Sequence, residues 1–144
     1  MFGLQMSTSI EPYIGYANGA NHSTQNLSSV AWPIFAPNGK IMSMQGICIG
    51  LSTHNITKYI AMVELLFDVI LHGIFCLVVR LDSQLIILQL ANIYSVINPA
   101  ILRMVLRVCL LERHFDFIRY EHISRNINTL VDSLANYVLY RHLQ

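Results

Sequence analysis

The eleven residues from Ile74 to Gln84, IFCLVVRLDSQ, decide the reading of this chain. The run from Ile74 to Val79 is apolar without alternation, the pattern of a strand covered on both faces, as in the parallel part of an α/β sheet. Arg80 closes the run, Asp82 follows, and Ser83 and Gln84 open a helix. A carboxylate just past the end of a buried strand lies where open α/β sheets place their chemistry.

Upstream of this strand the pattern is helical. Thr53 or Asn55 can cap a helix on which Ile56, Tyr59, Ile60, Val63, Leu66, Phe67, Ile70 and Leu71 share one side. Lys58, Glu64, Asp68 and His72 lie toward the other side, so the helix is expected to pack on a sheet and to end at a turn on Gly73. Met62, Leu65 and Val69 fall off the main stripe. Something should cover them: a second helix, or a partner protein on an exposed apolar helix surface.

Further toward the N-terminus, residues 1–11 are polar and aperiodic and are expected to be loose, leaving 12–144 as the domain. Tyr13–Ala17 is β-prone and leads into Asn18-Gly19, a turn signal. Asn21–Ser29 reads as loop. Val30–Ala36 and Lys40–Ile49 then read as a hairpin around Pro37-Asn38-Gly39, where Asn and Gly tolerate positive φ. Downstream, a short helix over Ser83–Ala91 and a loop about Tyr94–Pro99 precede a helix over Ala100–Glu112. Its Arg103 and Arg107, with Arg113 just beyond, are either a solvated face snorkelling over core or phosphate contacts. Phe115–His122 reads as a last strand, and Asn126–Arg141 as a last helix with Ile127, Leu130, Val131, Leu134 and Val138 on one face. The expected fold is α/β: three antiparallel strands, then α, β, α, α, β, α, making a mixed sheet flanked by helices.

Composition sets the outer limits. The chain has 144 residues, enough for one domain with a real core, is 54% hydrophobic and 12% charged, and carries a formal net charge of +1. That charge gives no long-range pull toward nucleic acid or anionic membrane. Tyr59–Val79 is interrupted by Glu64, Asp68, His72 and Gly73. An acid at a membrane-helix centre costs about 2.5–3.5 kcal/mol, so helix, turn and strand is the better reading and no membrane association is expected. The start MFGLQMSTSI lacks the features of a secretory or mitochondrial signal. Cys48, Cys76 and Cys109 are widely spaced within apolar runs and read as buried free thiols of a reducing intracellular compartment, nucleus and cytoplasm not being distinguished.

Four blocks carry a resemblance: YANGA at Tyr16–Ala20, STHNITKY at Ser52–Tyr59, RLDSQL at Arg80–Leu85 and HISRNINTLVDSLAN at His122–Asn136. In order and spacing the chain from Tyr13 to His142 resembles the ribonuclease H domain, in the version carried by plant gypsy-type long-terminal-repeat retrotransposon polyproteins. The resemblance implies a ribonuclease H-like five-stranded mixed sheet. It also implies endonucleolytic, two-metal hydrolysis of the RNA strand of an RNA–DNA hybrid, with Mg²⁺ as cofactor. Two ions about 3.5–4 Å apart activate water and stabilise the leaving oxygen, and hard Mg²⁺ requires oxygen ligands from several carboxylates.

Carried over by position, Asp82 matches the acid after the central strand and Asp132 the acid on the last helix, both as metal ligands. The family's first-strand aspartate is here Asn18, and its helix glutamate is Lys58. An ammonium cannot ligate a cation, and at about 4 Å with an effective ε near 20 each unit-charge pair is worth on the order of 4 kcal/mol. Lys58 is therefore expected to repel the ions and to pair with Asp82 or Asp132, leaving Mg²⁺ unbound or weakly bound. His122 matches a histidine that assists proton transfer or product release, and equally reads as a plain strand-end histidine. Gly19, Thr53, Asn55 and Gln84 match positions that contact the hybrid, where 2′-hydroxyls distinguish RNA from DNA. Helix capping explains Asn55 as well, and His54 replaces an asparagine of the family pattern. Asp to Asn, Glu to Lys, and Ala to Thr at Thr57 are each reachable by one G-to-A transition, a pattern of decay in a silenced element.

Three functions follow from this reading. The first is a catalytically inactive ribonuclease-H-like domain acting by binding nucleic acid or protein. The second is a residual hybrid-cleaving enzyme in which Asp82 and Asp132 hold one ion with help from Asn18. The third is a protein–protein effector with no nucleic-acid role, which the near-neutral charge favours over duplex binding.

Overall fold

The computed structural model describes residues 11–143. The expectation of a loose N-terminal segment therefore lies, except for Glu11, outside the described residues. The chain folds as a mixed sheet with helices on both faces, and its first three long strands are each broken in the middle. The halves are β1 (Tyr13–Tyr16) with β2 (Asn18–His22), β3 (Leu27–Ala31) with β4 (Ile34–Phe35), and β5 (Ile41–Ser43) with β6 (Gly46–Gly50). The unbroken strands are β7 (Cys76–Leu81) and β8 (Phe117–His122). One part of the sheet has the order β5-β4-β1-β7-β8, and the other β2-β3-β6. β1 and β8 run parallel to β7, whereas β4 is antiparallel to β1 and to β5.

The breaks fall opposite one another. Ile14 pairs with Phe35 and Asn18 with Ala31, which brings Ala17 across from Trp32-Pro33. Pro33 has no N–H to give to a ladder, so the regular pairing stops there. Tyr16 N–H bonds Pro33 O at 3.0 Å, Trp32 N–H bonds Gln45 O at 3.0 Å, and Ala17 N–H bonds Arg80 O at 3.3 Å across the seam. Asn18-Gly19, expected as a turn, is instead the start of β2, because pairing with Val30 and Ala31 overrides its local turn preference. The reversal lies inside the expected loop, at a 3-10 turn over Ser23–Gln25 followed by Asn26 at φ 54°.

Among the described residues four α-helices complete the fold: α1 (His54–Leu71), α2 (Gln84–Ala91), α3 (Pro99–Glu112) and α4 (Thr129–Leu143). Thr53, Ser83 and Asn98 cap the first three, their side-chain oxygens accepting from Ile56 N–H, Ile86 N–H, and the N–H groups of Ala100 and Ile101. α1 gives way to a turn at Gly73, whose φ of +72° is in the left-handed region that favours glycine. α1 lies between the sheet and α3, so it is buried on two sides. Met62, Leu65 and Val69 are fully buried with Val105 and Val108 of α3 and Leu77 and Val79 of β7. All three positions are fully buried, so the exposed apolar surface expected there for a protein partner does not exist, and Leu65 at least packs on the sheet, against Gly15 of β1. Phe67 and Leu71, expected inside, are 52% and 70% exposed.

α4 packs on the opposite face of β2, β3 and β6, where Val131 and Ala135 meet Ala31. Ile127 precedes that helix and, like Leu130, is exposed, contrary to the expected stripe. Asp68, expected in solvent, accepts a 3.0 Å bond from the indole N–H of the single tryptophan, Trp32. The three cysteines are free thiols, half-buried in place of the full burial expected. Among the described residues no helix is long and apolar enough to cross a membrane.

Candidate functional site

The sheet seam and two helix starts bring four distant positions together. Asn18 is the first residue after the break in the first strand and is buried. Lys58 lies in the second turn of α1, Asp82 directly follows β7, and Asp132 is in the first turn of α4. The Asn18 carboxamide Nδ2 donates to Asp132 Oδ1. Lys58 Nζ stands 3.7 Å from Asp82 Oδ1, and Arg125 Nε stands 3.8 Å from Asp82 Oδ2. Close approach of β2 to α1 makes this possible: a Cβ at Gly19 would meet Thr57 Cγ2 at 2.3 Å. Gly19 therefore has a packing role, whatever it does toward a ligand.

The charges are arranged in depth. The Asp82 side chain is 4% exposed, Lys58 20% and Arg125 73%. Burial pushes the Asp132 carboxyl above the usual aspartate range, the Asp82 charge pushes the same way, and Arg125 and Lys58 oppose them. At an effective ε near 20, a unit-charge pair at this separation attracts by on the order of 4 kcal/mol before desolvation is counted. This donor set does not suit divalent ions. One acid is held between two cations, one of them the Lys58 ammonium, and the other accepts from an amide. Among the described residues no three His, Cys, Asp or Glu side chains are grouped to hold a metal.

A cavity of about 270 Å³ opens beside these groups, lined by Asn21, His54, Lys58, Arg125, Asp132 and Asn136 together with Gly19 and Ala20. Asp82 is not among its lining residues. A second cavity of about 600 Å³ adjoins it through Asn21 and His54 and includes Thr53. Thr53 also caps α1. Asn55 is half-buried and Gln84 is exposed at the start of α2; neither lines these cavities. His122 is exposed at the end of β8, outside both. Arg125 and Asn136 were not singled out from sequence, although both belong to the block HISRNINTLVDSLAN. No periodicity marks Arg125; only its place in that block could have pointed to it.

The sequence model of the reverse transcriptase-like family matches residues 16–138. Ribonuclease HI of Halobacterium salinarum is 30% identical over 124 residues, which is 86% of this chain and 62% of that protein. A bifunctional protein of Mycobacterium tuberculosis is 28% identical over 116 residues, 81% of this chain and 31% of its own length. The chain thus spans less than two thirds of these curated relatives. Among solved structures, RNase H1 from the halophilic archaeon superposes with a TM-score of 0.85 at 28% identity, covering 91% of this chain and 99% of that one. An RNase H1 solved in complex with an RNA/DNA hybrid gives 0.83 at 23% identity, covering 92% and 99%. The foamy viral protease–reverse transcriptase in complex with an RNA/DNA hybrid gives 0.68 at 19% identity, covering 90% of this chain and 20% of that one. The last two speak to the fold alone.

Proposed function

Since the chain belongs to the reverse transcriptase-like family, as a ribonuclease H-like domain related to RNA–DNA hybrid ribonucleases, we propose that it is a non-cleaving hybrid-binding member. The observation that carries this is Lys58 against Asp82, 3.7 Å apart where two-metal hydrolysis needs ligands for cations. Asn18 reinforces it by spending its amide on Asp132. Hybrid binding rests on the two adjoining cavities, one of them lined by Thr53, and on the fold shared with proteins solved bound to RNA/DNA hybrids. The origin that best fits the four sequence blocks is a decayed plant gypsy-type retrotransposon polyprotein, and the free thiols suit a reducing compartment.

The test is cleavage of an end-labelled RNA–DNA duplex in Mg²⁺ or Mn²⁺. The expected result is no cleavage by the wild-type chain and cleavage by Asn18→Asp/Lys58→Glu. Wild-type cleavage that Asp82→Asn abolishes would overturn the proposal in favour of a residual enzyme.

A further inference from the structure

We infer that the cavity at Lys58 and Arg125 is a phosphate pocket that engages the backbone of a hybrid without any divalent ion. This deepens the function proposed above and rests on it for the identity of the ligand. Three observations carry it.

The first is depth. The acid that both cations face, Asp82, is 4% exposed and contributes nothing to the cavity lining, whereas Lys58 and Arg125 both line it. What the cavity offers a ligand is an ammonium, a guanidinium, the His54 imidazole and the Asn136 carboxamide, against one carboxylate, Asp132. That carboxylate already accepts from Asn18.

The second is unspent donors. At 3.7 and 3.8 Å the contacts of Lys58 and Arg125 with Asp82 are ion pairs too long for charge-assisted hydrogen bonds, which run about 2.7–2.9 Å. Lysine has three N–H donors and arginine five in a fork that fits phosphate oxygens. Asp82 faces both heads, and among the described residues no hydrogen bond takes their donors, which leaves them for a second anion.

The third is charge at the reacting position. In a two-metal nuclease the ions neutralise the phosphate over the carboxylates. Here fixed side-chain cations stand over the carboxylates, so a phosphate meets positive charge with no ion recruited. The chemistry recognised is a phosphate oxyanion, from either a nucleic-acid backbone or free phosphate.

The experiment measures anisotropy of a labelled RNA/DNA hybrid with the full chain, in EDTA and in Mg²⁺, across a salt series. The affinity is expected to agree within about twofold in the two buffers. Arg125→Gln and Lys58→Gln should each reduce the slope of log K against log salt by about one unit. Arg125 is 73% exposed, so its substitution leaves the fold intact, which Trp32 fluorescence checks. Binding that requires Mg²⁺, or slopes unchanged in both variants, overturns the pocket while sparing the hybrid-binding reading. If no hybrid binds at any salt, that reading fails, and inorganic phosphate titrated by NMR decides the pocket alone. Saturable shifts at Arg125 and His54 that vanish in Lys58→Gln uphold it; no shifts overturn it.

Discussion

Lys58 Nζ and Asp82 Oδ1 lie 3.7 Å apart, so the first helix and the end of the central strand are joined by a charge pair. A cluster of carboxylates at this place would have to be held open against their mutual repulsion. The wild-type chain should therefore melt at the same temperature with and without Mg²⁺. Asn18→Asp/Lys58→Glu should be less stable in EDTA and recover as Mg²⁺ is added, by about 2.7 kcal/mol at a hundredfold excess over Kd. Thermal unfolding followed by Trp32 fluorescence measures both, and a Mg²⁺-dependent rise in the wild type contradicts the assignment.

The contact of Gly19 with Thr57 makes a second expectation. Gly19→Ala places a methyl 2.3 Å from Thr57 Cγ2 and should cost about 1–3 kcal/mol through overpacking. Adding Thr57→Ala should restore most of the loss. Urea unfolding of the two single variants and the double variant reads the coupling directly, and additive losses would show that the two residues do not press on each other.

The faces of α1 are tested by a pair of truncations. Leu65 is fully buried and Phe67 is 52% exposed. Leu65→Ala should cost about 2–5 kcal/mol, whereas Phe67→Ala should change stability far less despite removing a larger side chain. Comparable losses at both positions would restore the face assigned from periodicity.

Asp132 makes stability depend on pH in a fixed direction. Its carboxyl is raised in the folded state by burial and by Asp82, above the unfolded value of about 3.9. The charged form penalises the native state above the folded pKa, and the penalty disappears below the unfolded pKa, where both states are protonated. Asp132→Asn should accordingly stabilise at pH 7 and have no such effect near pH 3. Urea midpoints at the two pH values check the sign; a gain confined to acid would reverse it.

Much of this architecture was legible, and the misses have physical causes. The order of elements followed from the Ile74–Val79 run and the helical spacing on either side of it, because burial on two faces leaves a strong mark on sequence. Asn18-Gly19 misled because its turn preference is local, while its partners Val30 and Ala31 are a dozen residues away. The face of α1 misled because α3 covers what the sheet does not, so apolar residues surround most of the helix and periodicity cannot rank them. At the site, Asn18 and Lys58, standing where the resemblance implies acids, could be read directly. The second cation on Asp82 could not, since Arg125 reaches it from an irregular segment.

The seam at Ala17, Trp32-Pro33 and Gln45 has a consequence for how the molecule comes apart. β2, β3, β6 and α4 form a lobe that carries Asn18 and Asp132, while Asp82 belongs to the unbroken strands. Where a regular ladder is replaced by a few bridging bonds, sub-global opening is easiest. Amide exchange should then report two protection classes divided along that line, with the candidate site lying on the fracture itself.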